Sequence, residues 1–336
     1  MKKLLFPLIF LSFMISCEKK ETLYLFNWAE YIPTHVFGQF EQENNVKLKF
    51  DWYDSNEAMF VKIRSGASGY DIIFPSGDYV SIMRKSGMLQ PIDKTKVPNL
   101  DLLDSRILER ITFDKNQEYS VPYMVSVTGI AVNTNEVKDY PKSFEIYNRK
   151  DLAGKMILMD NMREVLDGAL INLGYHANST NKEEITAAGE LVKKWKENIL
   201  RFDQESFARS FAQGEVFVVH GYAENIFLEL DENQKKTTDF FIPEGGTLSI
   251  DNMVILKDAK NLELAHKLIN FILRPDIYAQ ICDYLTLPSM NIESRELMEK
   301  TPVYSIDDVL PCEIKDDVGE AIELYNEVWQ DIRIGG

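Results

Sequence analysis

The sequence predicts a two-lobed α/β protein built around mixed sheets, and three observations lead there. Short runs rich in β-branched and aromatic residues alternate with longer segments of helical period, which is the pattern of βα units. Removal of a leader over residues 1–16 leaves 336 − 16 = 320 residues, more than one hydrophobic core ordinarily holds. The chain is 45% hydrophobic and 27% charged, with no low-complexity tract, heptad run or internal repeat, so it reads as globular rather than disordered or repetitive.

The leader comes first. Lys2 and Lys3 give a positive start, the apolar run from Leu4 to Ser16 follows, and Cys17 closes it, which is the layout of a secretion signal. That run is shorter than the roughly 20 residues a membrane-crossing helix needs, and no later segment is long enough. Met14-Ile15-Ser16-Cys17 resembles a bacterial lipobox, in which a small residue precedes a cysteine that is acylated and becomes the new N-terminus. Met14 departs from the usual leucine, and a plain signal peptide with an incidental cysteine is the alternative. The lipobox reading makes residues 1–16 a signal peptide, Cys17 a lipid anchor and residues 17–21 a short charged tether.

The mature chain opens with a strand over Thr22 to Asn27, a helix over Pro33 to Asn44 with the proline near its start, and a strand over Val46 to Trp52. Ser55-Asn56-Glu57-Ala58 caps a helix that ends near Gly66, and Tyr70 to Ser76 is a buried strand stopping in a loop. Further strands are expected over Lys155 to Met159, Glu215 to Val219 and Ile250 to Leu256. Helices are expected over Met162 to Leu173, over Glu183 to Glu197 and from about Asp316 to Ile334.

Charge and cysteine content bound the partners. The net charge of −16 becomes −18 when Lys2 and Lys3 leave (−16 − 2), a poor match for nucleic acid. Such a charge either concentrates cations near a cleft or simply keeps a secreted protein soluble. Cys282 and Cys312 remain after Cys17 is assigned to lipid; they could pair in an oxidising space, or be small buried hydrophobes, the commoner case.

Enzyme signatures are missing: there is no GxSxG elbow, HExxH helix, phosphate-cradling glycine loop or CxxC pair. His35, His176, His220 and His266 lack metal-ligand spacing, so no metal and no cofactor is expected. A carboxylate pair drawn from distant segments, as in a secreted glycoside hydrolase, is the enzyme alternative. The first strand instead runs into Asn27-Trp28-Ala29-Glu30-Tyr31, two large aromatics around one carboxylate at a strand end, where α/β proteins bind ligands. A buried amine needs that combination of counter-charge and aromatic face. The residues alone fit equally well a loop in which Trp28 and Tyr31 pack between lobes and Glu30 faces solvent.

Four segments together resemble the periplasmic spermidine/putrescine-binding proteins over almost the whole mature chain. They are Leu23 to Tyr31, Tyr70 to Ser76, Arg163-Glu164-Val165 and Lys267 to Asp276. The resemblance implies the class II binding-protein fold, in which each lobe has a central mixed sheet flanked by helices and the ligand lies in the cleft between lobes. It places crossings near Val127 to Ile130, Ser249 to Asp251 and Glu299, so that residues 22–127 and 251–298 form lobe 1 and residues 128–250 and 299–336 form lobe 2.

Carried over position by position, the ligand-binding residues are Trp28, Glu30, Tyr31, Ser76, Glu164, Tyr222 and Asp251, with Asp78 added from its place in the second loop. Departures fall at Ala29 for a hydroxyl residue, Asn161 for an acid with Asp160 adjacent, Lys315 for a neutral amide, and Ser249 and Leu287 for aromatics. The implied function is a monomeric, non-enzymatic receptor of an ABC importer. It would capture putrescine or spermidine by lobe closure in the periplasm and deliver it to the permease and its ATPase. A receptor for another small cationic amine, an adhesion lipoprotein that kept the fold, and the hydrolase are the alternatives.

Overall fold

The computed structural model describes residues 20–29, 31–243 and 245–335. The leader, Cys17 with residues 18–19 of the tether, and Glu30 lie outside the described residues.

Ten strands are described: β1 (Thr22–Trp28), β2 (Lys47–Tyr53), β3 (Ile72–Ile73), β4 (Ser120–Asn133), β5 (Met156–Leu158), β6 (Arg201–Phe202), β7 (Val218–Tyr222), β8 (Thr238–Phe241), β9 (Thr247–Ile255) and β10 (Glu313–Ile314). They run in the order β2-β1-β3-β9-β4-β7-β5-β6, with β10 on β9 and β8 on β4. The sheet is mixed. β1 is parallel to β2 and β3, β5 is parallel to β6 and β7, and β4 is antiparallel to β9, β7 and β8.

β4 joins the two halves. Up to Val127 it pairs with β9, and from Thr128 onward with β7. Its 14 residues are buried at all but the last position, so one strand serves two cores. The first core gathers Phe26, Phe40, Phe74, Tyr123 and Tyr278. The second gathers Tyr147, Trp195, Tyr325 and Ile332. A smaller cluster of Ala131, Ile157, Phe207 and Val219 lies on the opposite face, because alternate residues of a strand point to opposite sides.

The chain passes between the halves twice more, at places other than those expected. It leaves the second half after Phe241, paired with Ile130, and enters the first at Thr247, paired with Glu313, upstream of Ser249 to Asp251. The last passage lies well beyond Glu299, since Cys312 and Ile314 belong to the first core and Val318 to the second. That passage shortens the final helix to Ala321–Ile334. The Lys315 and Asp316 amides donate instead to Leu248 O (2.9 Å) and Asn178 Oδ1 (3.0 Å).

Other differences have local causes. The buried run from Tyr70 pairs as a strand only at Ile72–Ile73, because the Phe74 carbonyl accepts from Trp28 Nε1 (2.9 Å) and Tyr53 OH (2.6 Å) and Pro75 has no N–H. β7 starts later than Glu215 and runs on to Tyr222, with Gly221 admitting the Phe207 ring where a side chain would collide. The capped helix over Asn56–Arg64 forms as read, Ser55 Oγ accepting from the Ala58 amide at 3.1 Å. The Lys182–Lys196 helix buries Ile185, Ala188, Gly189, Val192 and Trp195, one stripe at helical spacing. Cys282 and Cys312 are both free thiols and buried.

Gly129 lies just past the partner switch in β4, where an added Cβ would come within 2.4 Å of Phe240 Cζ and 2.7 Å of the Phe241 carbonyl oxygen. The carbonyl is fixed by the β4–β8 ladder and has nowhere to go. Gly129→Ala should therefore cost about 1–3 kcal/mol by overpacking. Urea unfolding measures it, and an unchanged midpoint would show that β8 can move away freely.

Candidate functional site

The end of β1 sets an aromatic wall before any ligand arrives. Trp28 is held by its Nε1 bond to Phe74 O, and its ring lies 4.5 Å from that of Tyr53, whose hydroxyl shares the same carbonyl. Buried Asn27 fixes the turn by accepting the Trp28 amide at 2.8 Å. Tyr31 packs edge-on against Tyr123, whose hydroxyl donates to Tyr31 O at 2.9 Å.

Asp251 sits behind this wall in β9, 7% exposed. Tyr31 OH donates to its Oδ2 at 2.9 Å. Its backbone bridges to Ser76, which stands just ahead of the Gly77–Lys85 helix, and the Ser76 hydroxyl donates to Asp78 and accepts from Asn56 Nδ2 at 2.8 Å. The structure thus brings together Trp28, Tyr31, Ser76, Asp78 and Asp251. No described lysine or arginine forms an ion pair with Asp78 or Asp251.

Glu164 is different. It lies in the first turn of the Met162–Asn172 helix, whose N-cap Asn161 accepts the Glu164 amide at 3.1 Å. Its carboxylate is buried and accepts from Thr128 Oγ1 (2.7 Å), Tyr222 OH (3.0 Å) and Lys315 Nζ, with Thr247 Oγ1 3.5 Å away. Thr128, Thr247 and Lys315 belong to the three passages between the halves, so one carboxylate ties them all to the second half. Glu164 and Tyr222, expected among the ligand contacts, are thus engaged with each other and with Lys315. Asp160 turns outward to Arg333, and Leu287 lies in the first core rather than on an open wall.

One acid escaped the sequence reading. Glu224, two residues past Tyr222, is half-buried, and its Oε2, which is shut off from solvent, has no hydrogen-bond partner among the described residues. Tyr31, Tyr222, Tyr304 and Asp251 all lie close enough to be coupled to its charge. The signal was there, since Glu224 follows the same strand end as Tyr222, but an acid in the first turn of a helix also reads as ordinary dipole compensation.

The electrostatics separate the acids. Burial would push Glu164 up, but the Lys315 ammonium beside it and the Thr128 hydroxyl hold it at about 2. Burial pushes Asp251 up to about 7, opposed by the Tyr31 hydroxyl and by the more distant Lys315 charge and reinforced by Asp78. Burial also pushes Glu224 up to about 7, with the Asp251 charge adding to it. A carboxylate buried without a cation favours its neutral form, and a cation brought alongside reverses that. Surface hollows beside Tyr24 and Lys260, and beside His35 and Tyr284, share none of these residues. Among the described residues no cluster of side chains could hold a metal ion.

Two α/β halves joined by three passages, with aromatic rings and acids between them, define a solute-binding protein that closes on a small ligand. The chain belongs to the family of bacterial extracellular solute-binding proteins, whose sequence model matches residues 36–304. It is 36% identical to the spermidine/putrescine-binding periplasmic protein of Escherichia coli over 95% of this chain and 93% of that one. The crystal structure of the TpPotD lipoprotein of Treponema pallidum superposes with a TM-score of 0.90 at 44% identity, covering 93% of this chain and 99% of the other. That of the spermidine/putrescine transporter substrate-binding protein PotD from Streptococcus pneumoniae gives 0.83 at 26% identity, covering 94% and 99%.

The raised acids make stability depend on pH in a defined direction. Asp251 titrates at about 7 against an ordinary 3.8, so the folded ligand-free protein gains from protonating it. That gain is complete below about pH 4 and is lost as pH rises through 7. Asp251→Asn, which stays neutral, should match the wild type near pH 4 and be the more stable protein at pH 8, by about 1–3 kcal/mol. Melting of ligand-stripped protein across that range decides it, and a less stable variant at pH 8 would contradict the assignment.

Proposed function

We propose that this protein is the polyamine receptor of an ABC importer, holding a short diamine between its two lobes for delivery to the permease and its ATPase. The observation that carries this is a pair of acids beside the preset Trp28–Tyr31 wall, buried Asp251 and half-buried Glu224, neither of which forms an ion pair among the described residues. A sugar or an anion would leave those carboxylates uncompensated, whereas an ammonium supplies charge and donors together. The methylene chain would lie against Trp28 and Tyr31, one nitrogen at Asp251 with Ser76 and Asp78 nearby, the other at Glu224; Glu30 is a further acceptor on sequence grounds. No bond is made or broken, in keeping with relatives that are binding proteins rather than enzymes.

The lobes would rotate about β4 between Val127 and Thr128 and about the two other passages. An acylated Cys17 would keep the monomeric receptor at the membrane face in the periplasm, a reading supported by the lipobox-like junction and by the lipoprotein among its structural relatives.

Calorimetry of ligand-stripped protein against putrescine, spermidine, amino acids and simple sugars tests the reading. Putrescine should bind at least as tightly as spermidine, and Asp251→Asn should lose more affinity than Asp78→Asn. Tight binding of a sugar or a neutral amino acid alone would refute the polyamine assignment, as would equal losses in the two variants for the placement of Asp251. Separately, mass spectrometry of the native N-terminus should find a diacylated or triacylated Cys17, and an unmodified chain beginning elsewhere would exclude the anchor.

A further inference from the structure

We propose that Lys315 determines ligand specificity by standing in for one ligand ammonium at Glu164, which matches the cleft to a diamine rather than to a triamine. The inference rests on the polyamine reading and goes a step beyond it.

Lys315 reaches Glu164 from the last passage between the lobes, and the two side chains are 11% and 2% exposed. An ammonium on a buried carboxylate, with Thr128 and Tyr222 supplying two further hydrogen bonds, is the coordination a bound amine would receive there. The position of Lys315 is not left to its own flexibility. Its amide donates to Leu248 O at 2.9 Å. The neighbouring Ile314 carbonyl accepts from Asn178 Nδ2 at 2.8 Å, and Arg163 Nη1 donates to Asp316 O at 3.3 Å. Arg163 is itself fixed by Asp167 at 3.0 Å, so the backbone that carries Lys315 is clamped from the second lobe.

The consequence is a matter of charge. Each acid facing the cleft could hold an amine, but Glu164 is neutralised internally. A third ammonium arriving there would meet Lys315 at close range, in surroundings dry enough for repulsion to be strong. Asp251, with Asp78 close by, and Glu224 form no ion pair among the described residues and remain for the two ends of a shorter ligand. Removing the lysine charge while keeping a hydrogen-bond donor returns Glu164 to the ligand.

The test compares wild type, Lys315→Gln and the double variant Lys315→Gln/Glu164→Gln by calorimetry with putrescine and spermidine, using full-length ligand-stripped protein. Lys315→Gln should shift the affinity ratio toward spermidine by about tenfold or more. The double variant, with no charge at either position, should return to within about threefold of the wild-type ratio. An unchanged ratio in the single variant, or a gain kept by the double variant, overturns the assignment. If Lys315→Gln is too unstable to titrate, melting separates the same two outcomes: spermidine must raise its midpoint relative to putrescine by more than in the wild type, and equal shifts refute the role. A wild type that binds neither polyamine would instead refute the function proposed above.

Discussion

Everything in the space between the lobes depends on how buried carboxylates are neutralised. Taking a carboxylate out of water costs several kcal/mol unless a cation and hydrogen bonds replace the solvent. Glu164 meets that demand inside the chain, and its low pKa of about 2 records the result. Asp251 and Glu224 do not meet it, and both titrate near 7. The same chemistry thus has two outcomes in one fold: a carboxylate paired with a lysine inside the chain, and two acids without an ion pair among the described residues, which the proposed ligand would neutralise. His220, whose ring nitrogens have no partner among the described residues and whose pKa burial lowers to about 4, adds no positive charge near Glu164 at neutral pH.

The Glu164–Lys315 pair has a structural role because of where its members come from. β4 supplies Thr128 at the point where its partner changes from β9 to β7, and Lys315 comes from the segment that leaves β10. A carboxylate bonded to both fixes the passages relative to the Met162–Asn172 helix. In the proposed closure, rotation of one half on the other would be concentrated in the backbone between, where few residues need change conformation. The aromatic wall is rigid for a different reason. Trp28 and Tyr53 share one carbonyl, so their rings are set before a ligand binds and little side-chain freedom is lost on binding.

Much of this was readable from local pattern. The cap at Ser55, the stripe of Ile185 to Trp195 and the loop from Asn27 to Tyr31 are each decided by neighbours within a few residues, and the sequence displays them directly. The passages between lobes were harder. β4 is buried on both sides of Val127, so nothing in its hydrophobicity marks the change of partner. The resemblance places one crossing near Val127 to Ile130, where β4 changes partner, and the others near Ser249 and Glu299. After Lys315, the acids at 316 and 317 read as the start of a helix. Gly319 has φ +58, and the preceding amides are bonded to Leu248 and Asn178, distant partners that no local pattern reveals. The same limit hid the bond between Lys315 and Glu164, 151 positions apart, and with it the distinction between an acid paired inside the chain and acids that are not.

That distinction bears on how an empty receptor stays ready. Asp251 belongs to β9 of the first half and Glu224 follows β7 of the second, so the unpaired acids approach from opposite sides. With the halves placed as they are here, both acids are largely out of water, and without a ligand they must either take up protons or stand as neighbouring like charges. With a dication between them the same approach gains two charge-assisted hydrogen-bonded pairs. A ligand drives closure only by the difference in its affinity for the two states, and here that difference arises on both sides at once: the empty closed state is penalised, and the occupied closed state is favoured. An acid pair of this kind makes closure conditional on positive charge. A neutral solute of similar length and apolar surface could lie against Trp28 and still leave the penalty standing.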